Sequence, residues 1–441
     1  MEISFLHVLA CLLAGIAIIV VLTVKYKVPA FFALLISCFV VGLGFQFSLN
    51  KIVSVSSEGF GNIMRSLGLL IALGTTLGII LEYTGSTRVM ASFILRKVGE
   101  MRAAMAMSMT GFVIGLPIFC DSGYLVLSGL NNSLAKRTGI PMAIMATSLA
   151  TGLYSIHCMI PPHPGAAAAA GIIGVDLGKF IIAGIGVAIP ASIVGYLWAK
   201  FAGKNAPVID KVEGTEVEEY ELPSPIKAFL PVAVPIVLIA LKSFMIVGSG
   251  EENSLFTIFL SLGDPVIALS IGVILAFNCK KNWDKHSVSS LLQDSAEKAG
   301  NILIIIGAGG AFGAILTATN LSEHLGSNLP LEHMGLLFPF IVTFGLKTAQ
   351  GSSTVAIITA ASIVLPLLPA LGLDSETGKL LCVLAMGAGS MMISHANDSY
   401  FWLISKFSGL DMKTMLKVYT LATVFMGLTS LFMIYILSFI I

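Results

Sequence analysis

The sequence Pro161-Pro162-His163-Pro164-Gly165 interrupts a long apolar segment in the first half of the chain, and His395-Ala396-Asn397-Asp398-Ser399 interrupts another in the second half. Proline removes a backbone donor and blocks helix continuation, so the first stretch predicts a broken helix, and the polar run predicts the same in the second. Inside a membrane, unpaired backbone groups are costly unless they are buried in protein or line a cavity. The two stretches therefore restrict how the surrounding apolar segments can be arranged.

The composition predicts a membrane protein. Of 441 residues, 56% are hydrophobic and only 11% are charged, which is too few to cover a soluble protein of this size. The net charge of +1 offers no basic face, so we expect no nucleic-acid partner. The six cysteines are scattered without a C-x-x-C pair and are expected to be small core residues. The chain is thus predicted to be an all-α polytopic membrane protein in contact with membrane lipids.

Apolar segments of crossing length recur along the chain. The first follows only Met1 and Glu2, lacks a positively charged leader and is expected to be a retained span. The predicted spans lie near residues 3–24, 29–47, 67–81, 140–160, 178–199, 226–247, 255–277, 302–319, 379–393 and 415–440.

Other segments are too short or too polar to cross. The pairs 103–119 with 122–135 and 334–346 with 353–369 are split by polar turns and predict two re-entrant helical hairpins. Charged and apolar residues alternate at helical spacing in three further segments, which predicts helices that lie on the membrane surface. These segments are 49–66, 86–98 and 288–299.

Charge placement predicts the orientation and the domain division. If the hairpins do not cross, most lysines and arginines fall on one side, which is the cytoplasm by the positive-inside rule. Both termini are then outside, and residues 204–224 form an acidic cytoplasmic linker between halves 1–203 and 225–441. An offset of 235 residues places Gly74-x-x-x-Gly78 on Gly309-x-x-x-Gly313. Five crossings plus a hairpin per half predict two inverted repeats, with the broken helices at the substrate site of a transporter.

The first hairpin tip contains an isolated carboxylate. Asp121 is the only acidic residue between Glu100 and Asp176. Because a charge at the bilayer centre costs about 2.5–3.5 kcal/mol, we expect a function for it. Asp121, with Ser122 and Gly123, is predicted to contact a substrate or a proton, and the alternative is a helix cap at the tip.

The second hairpin tip combines small and hydroxylated residues with a cation. Hydroxyls just ahead of a helix predict an anion site at its N-terminus, and Lys347 is the nearest cation. This pattern favours a carboxylate substrate. The alternative is an N-cap with Lys347 extending outward. The predicted binding residues of this tip are Lys347, Gln350, Gly351, Ser352, Ser353 and Thr354.

The two breaks supply the remaining polar candidates. They are His163, His395, Asn397, Asp398 and Ser399. Together they offer the many donors and acceptors that a polyhydroxylated ligand needs, although a membrane histidine can also serve packing alone. Asp121, His163, His395 and Asp398 are predicted to carry a coupling proton, because carboxylates and imidazoles can exchange protons in such sites.

Four ordered motifs resemble one known family over nearly the whole chain, the gluconate permease family of bacterial proton symporters. They are Gly115-Leu-Pro117-x-Phe119-x-Asp121, Pro161-Pro162-His163-Pro164-Gly165, Gln350-Gly351-Ser352-x-Thr354-Val355-Ala356 and His395-x-Asn397-Asp398-Ser399-x-Phe401-Trp402. The resemblance implies uptake of a sugar acid or related 2-hydroxy or 2-amino carboxylate, such as gluconate, glycerate or D-serine. It also implies the bacterial inner membrane, a homodimer, an elevator motion, proton coupling and no cofactor or metal.

Two departures from the family pattern concern the substrate. Lysine stands at 347 where arginine is common, and Cys120 and Ser122 flank Asp121 where gluconate permeases tend to have bulkier apolar residues. Lysine cannot hold a carboxylate with two parallel hydrogen bonds as arginine does, so the substrate headgroup or its pose is expected to differ.

Three alternative functions remain open from the residues. A sodium-coupled carboxylate transporter would share the same architecture. A channel would need a ring of like groups from repeated subunits, which the asymmetric breaks do not suggest. An intramembrane enzyme would need a metal or nucleophile constellation, and the sequence has no H-E-x-x-H motif.

Overall fold

The structure of the protein, a computed structural model, describes residues 5–206, 222–245, 260–320 and 331–441. Within these ranges the regular structure is helical and no strand is present. The helices are α1 Phe5–Val24, α2 Ala30–Gly44, α3 Leu49–Tyr83, α4 Ser86–Val98, α5 Ala103–Gly115, α6 Cys120–Thr138, α7 Met142–Met159, α8 Pro164–Ile173, α9 Leu177–Gly203, α10 Pro225–Met245, α11 Pro265–Phe277, α12 Lys285–Ala318, α13 Leu337–Gln350, α14 Ser353–Val364, α15 Glu376–Met391, α16 Ser399–Ser408 and α17 Met412–Ser438.

Capping side chains fix where several helices begin. Asp176 accepts a hydrogen bond from the backbone N–H of Lys179 at 2.8 Å, and Asp284 accepts one from Ser287 at 2.8 Å. Such caps satisfy backbone donors that have no partner within the first turn. At the other end, α8 stops at Gly174, whose φ of +80° suits glycine. The helix ends therefore follow from local sequence.

The predicted all-α class is confirmed, whereas the inverted relation of the two repeats stays a prediction. Among the described residues, seven helices are long and apolar enough to cross a membrane: Leu6–Val24, Leu49–Tyr83, Met142–Ile173, Leu177–Gly203, Pro225–Lys242, Lys285–Ala318 and Met412–Ser438. The span Met142–Ile173 contains the first break and is the most deeply buried of them. The five cysteines other than Cys11 are buried, as expected of core residues.

The two predicted hairpins are present as pairs of packed helices. In the first, α5 and α6 are joined by residues 116–119, and in the second, α13 and α14 are joined by Gly351 and Ser352. The second hairpin is shorter than predicted, because α14 ends at Val364 and passes into a 3₁₀ turn that contains Pro366. The helix predicted at 86–98 is present with the same bounds, as α4, and its place on the membrane surface stays a prediction.

Two other predicted surface helices are wrong as separate elements. Segment 49–66 continues without interruption into span 67–81 as α3, which has 35 residues, and 288–299 continues into 302–319 as α12, which has 34 residues. No proline lies at either junction, so nothing ends the helix there. At 1.5 Å per residue, α3 is about 52 Å long. Each predicted pair is therefore one long, rod-like helix.

Some predictions fall outside the described residues. Residues 207–221 make up most of the predicted acidic linker 204–224, and residues 246–259 contain the ends of spans 226–247 and 255–277. The division into domains 1–203, 204–224 and 225–441 therefore stays a prediction.

Helix bounds recur at the offset of 235 residues. Adding 235 to the bounds of α8 and α9 gives 399–408 and 412–438, which are the bounds of α16 and α17. The same addition to α3 gives 284–318, against the observed Lys285–Ala318 of α12. The order of long helix, hairpin and broken helix is thus the same in both halves.

The helices other than α4 pack as two groups, and α4 contacts both of them through α5 and α10. The framework consists of α1–α3 and α10–α12, in which α3 packs against α12 and α11, and α2 packs against α12. The hairpin group consists of α5–α9 and α13–α17, in which α7 packs against α5 and α9, and α15 packs against α13 and α17. Within the hairpin group, helices from the two halves of the chain pack against each other. Helix α8 packs on α14, and α16 packs on α6.

Glycines lie where the two groups touch. A Cβ on Gly74 would be 2.8 Å from the Pro162 side chain, and one on Gly78 would be 2.6 Å from the Pro117 carbonyl oxygen. On α12, Gly309 would clash in the same way with Ile358 of α14. These small residues therefore permit close packing between the two groups.

Candidate functional site

Both predicted helix breaks are present and each lies beside a hairpin tip. The first separates α7 from α8 at residues 160–163, and the second separates α15 from α16 at residues 392–398. A cavity of about 410 Å³ lies between the two breaks and the two tips. This volume falls in the range of small-molecule sites.

Four helices begin at the wall of this cavity. Their first residues are Cys120 of α6, Pro164 of α8, Ser353 of α14 and Ser399 of α16, and all four line it. The start of a helix carries unpaired N–H groups and the positive end of the helix dipole. Four such ends around one cavity form a site suited to an anion.

Half of the predicted binding residues line the cavity. These are Asp121, Ser122, Ser352, Ser353, Thr354, Asp398 and Ser399. Asp121 is exposed and lies at the second position of α6, after the N-cap Phe119, so it is not the helix cap of the alternative interpretation. Ser352 does cap α14, because its hydroxyl accepts a hydrogen bond from Val355 N–H at 3.3 Å.

The other half are not among the residues that line the cavity. They are Gly123, His163, Lys347, Gln350, Gly351, His395 and Asn397. His163 is 1% exposed, and its Nε2 donates to the carbonyl oxygen of Gly115 at 2.5 Å, which ties the first break to the first tip. Gly123 packs against Leu153. His395 is only partly buried, and its Nδ1 accepts from Asn397 N–H at 3.3 Å.

Lys347 is buried in an ion pair with Asp398, which lines the cavity, although Lys347 itself is not among the lining residues. Its Nζ donates to Asp398 Oδ2 at 2.6 Å and to the Gly351 carbonyl oxygen at 3.0 Å. The remaining Asp398 oxygen, Oδ1, accepts from Tyr400 N–H at 3.0 Å. Lys347 therefore does not extend outward, and Asp398 balances its charge. Lys347 and Asp398 instead connect the second tip to the second break.

Asn397 strengthens the same connection. Its Nδ2 donates to the carbonyl oxygen of Thr348 at 2.6 Å. Gly351 has a φ of +78°, and a Cβ there would clash with the Asn397 carbonyl group. Both amide atoms of the neighbouring Gln350 are buried without a hydrogen-bond partner in the described ranges. The second tip is thus closed tightly onto the second break.

Sequence reasoning missed the aromatic part of the cavity wall. Tyr154 and Tyr400 stack with ring centroids 5.7 Å apart, and His157 stacks on Tyr154 at 6.2 Å. All three line the cavity. Because they lie within or just inside apolar helices, their sequence context did not distinguish them from packing residues.

Sequence reasoning also missed a contribution from α12. Lys298, Asn301 and Ile302 line the cavity, although residues up to 299 were predicted to form a surface helix. Their spacing of three and four residues places them on one face of the helix. The sequence does contain one indication of this contribution. Lys298 and Asn301 are polar, lie one helical turn apart and come just before the apolar part of α12 begins.

A protein-family comparison covers nearly all of the chain. The model of the GntP family permeases matches residues 7–440. The chain belongs to the GntP permease family. The resemblance found in the four motifs is thereby confirmed, and the family consists of permeases, so the intramembrane-enzyme alternative is excluded.

Characterised relatives of this GntP permease have different substrates in their names. It is 32% identical to the gluconate permease of Pseudomonas aeruginosa over 95% of both chains. It is 33% identical to the D-serine transporter DsdX of Escherichia coli O6:H1, over 99% of this chain and 100% of that one. The inner membrane permease YgbN of Escherichia coli K12 is 29% identical over 97% of both chains. This GntP permease is accordingly a multi-pass inner-membrane protein.

Solved transporters share the fold at low sequence identity. The YdaH transporter of Alcanivorax borkumensis superposes with a TM-score of 0.60 at 15% identity, covering 89% of this chain and 90% of that one. MtrF of Neisseria gonorrhoeae gives a TM-score of 0.64 at 17% identity, covering 88% and 84%. Both comparisons concern the fold alone.

Proposed function

We propose that this permease is a secondary active transporter for proton-coupled uptake of a small sugar acid or related 2-hydroxy or 2-amino carboxylate. Gluconate, glycerate and D-serine represent the class. Relatives named for gluconate and for D-serine are almost equally similar to the chain, which supports the class without selecting a member.

The observation that carries the proposal is the convergence of four helix N-termini on one cavity. A carboxylate there would replace its water shell with N–H groups and with hydroxyls of Ser122, Ser353 and Ser399. The further hydroxyl of Thr354 and the stacked tyrosines suit a substrate that also carries hydroxyl groups on a short carbon chain.

Asp121 is the proposed proton carrier. It is exposed to the cavity, and the ion pairs found within the described residues do not include it. Asp398 is less suited to this role because Lys347 already balances its charge. His163 is buried and His395 does not line the cavity, so both are proposed to support the tips rather than to relay protons.

Transport is proposed to follow an elevator mechanism within a homodimer. The 235-residue recurrence of helix bounds supports two inverted repeats, 1–203 and 225–441, joined by the linker 204–224, with one hairpin entering from each side. The division of the helices into a framework and a hairpin group supports movement of the second against the first, and the glycines at their contact would permit sliding.

Uptake by proteoliposomes tests the proposal. With an inwardly directed pH gradient and no sodium, the purified protein is expected to accumulate at least one of radiolabelled gluconate, D-glycerate and D-serine, and a protonophore should abolish this accumulation. Accumulation that requires a sodium gradient and ignores the protonophore would favour the sodium-coupled alternative. Non-saturable flux without accumulation would indicate a channel.

A further inference from the structure

We infer that Lys298 and Asn301 of α12 bind the carboxylate group of the substrate, so that the framework forms part of the binding site. The inference rests on the proposed function and extends it to residues outside the tips and breaks. In this arrangement, α12 supplies one wall of the site, and the hairpin group supplies the helix N-termini.

The placement of the two residues supports direct contact. Both are exposed and line the cavity shared with Asp121, Ser353 and Ser399. The three-residue spacing of Lys298 and Asn301 on α12 directs both side chains to the same side of the helix. An ammonium and an amide therefore face the helix starts across the cavity.

Charge balance identifies Lys298 as the available cation. Among the described residues that line this cavity, it is the only lysine or arginine. The other nearby lysine, Lys347, is already paired with Asp398. Lys298 forms no salt bridge within 4.0 Å among the described residues.

The chemistry of Lys298 and Asn301 fits the carboxylate group that the proposed substrates share. A lysine ammonium is a compact charge on a flexible stem, so it can reach a carboxylate without the fixed geometry of arginine. The Asn301 amide can donate to the second carboxylate oxygen or accept from a neighbouring hydroxyl group. Helix N-termini alone carry partial charges, and a full positive charge would add strength and selectivity for an acid over its neutral analogue.

The location on α12 has a mechanical consequence. Lys298 belongs to the framework, whereas the helix starts belong to the hairpin group. A carboxylate held between them bridges the two groups. If the hairpin group slides along α12, this contact breaks, and the affinity falls in the conformation that lacks it.

Isothermal titration calorimetry tests the inference. Dissociation constants are measured on purified protein for gluconate, D-glycerate and D-serine and for the corresponding amides, which lack the acid. In Lys298→Gln, we expect carboxylate affinity to fall about 10- to 100-fold, as for loss of a charged hydrogen-bond partner, with amide affinity unchanged. Lys298→Arg should retain most of the affinity. Lys285→Gln, at the exposed start of the same helix and away from the cavity, should have no effect.

The possible outcomes distinguish failure of this inference from failure of the proposed function. Unchanged carboxylate affinity in Lys298→Gln overturns the inference while leaving the proposed function intact. A wild-type protein that binds none of the three carboxylates overturns both. If Lys298→Gln does not fold, Asn301→Asp replaces it, because a new carboxylate beside the site should weaken acid binding at least as much, and unchanged acid affinity in that variant equally overturns the inference.

Discussion

The two aspartates of the site have different surroundings and therefore different expected roles. Asp398 is 5% exposed and shares its Oδ2 with Lys347 and Ser394, which leaves it little freedom to exchange a proton. Asp121 is exposed to the cavity at the start of α6. The sequence presented both as isolated carboxylates in apolar surroundings, and only the partners separate them.

At Asp121 we expect loss of proton coupling without loss of exchange. One proton moving inward yields about 2.3 kcal/mol per 100 mV, and Asp121→Asn removes the proposed carrier of that proton. The variant should fail to accumulate substrate in proteoliposomes with a pH gradient but should retain counterflow. Ser122→Ala, which removes a proposed hydroxyl ligand but no titratable group, should bind substrate more weakly and still accumulate it. Accumulation by Asp121→Asn would show that another group carries the proton.

At Lys347 and Asp398 we expect a strong effect on stability. Lys347→Met or Asp398→Leu alone leaves one buried charge unpaired, which should lower the free energy of unfolding by about 3–5 kcal/mol. The double variant removes both charges and should recover most of that loss. Thermal melting of the four proteins in detergent measures this cycle. A double variant no more stable than the worse single variant would contradict the structural role.

At the residue scale, the sequence does not reveal which residue pairs with Lys347. Lys347 was selected because it precedes the second tip, and Lys298 was assigned to a surface helix. The identity of a buried lysine's partner depends on Asp398, which is 51 residues away, and on how α13 packs beside the second break. No local pattern contains that information.

At the scale of elements, the second hairpin depends on a closed tip. Gly351→Ala would force a left-handed residue to carry a Cβ against the Asn397 carbonyl group, and we expect a loss of about 1–3 kcal/mol together with weakened substrate binding. Gly345→Ala on α13 has open space at its Cβ and should be neutral or stabilising by up to about 1 kcal/mol. Melting temperature and substrate affinity are the measurements. Equal behaviour of the two variants would argue against a closed tip.

The elements themselves were largely predictable, and the reason is chemical. Prolines, glycines and polar runs mark the breaks and tips because each disrupts an apolar helix locally. The continuity of α3 and α12 was not predictable in the same way, because a charged helical segment has the same pattern whether it lies on a membrane or extends a span. This one ambiguity concealed the face of α12 that carries Lys298 and Asn301.

At the scale of the whole molecule, the proposed motion requires the hairpin group to slide along the framework. The ideal Cβ of Gly313 on α12 lies 3.5 Å from the Ser362 Cβ on α14, a spacing that suits a disulfide. Oxidised Gly313→Cys/Ser362→Cys should lose transport and regain it on reduction.

A matched cross-link within the hairpin group controls for the effect of the disulfide itself. The ideal Cβ of Gly115 lies 3.3 Å from the Ile156 Cβ, and both residues move together in the proposed mechanism. Oxidised Gly115→Cys/Ile156→Cys should therefore continue to transport. Full transport by the oxidised Gly313→Cys/Ser362→Cys protein would exclude sliding of α14 along α12.

The central claim is that a small carboxylate binds where four helix N-termini meet. An electron cryo-microscopy structure in nanodiscs, with the tightest-binding acid present at a saturating concentration, tests it most directly. The account predicts ligand density between the helix starts at Cys120, Pro164, Ser353 and Ser399, with its acid group towards Lys298. Density for the bound acid elsewhere in the protein, with this cavity empty, would contradict the account.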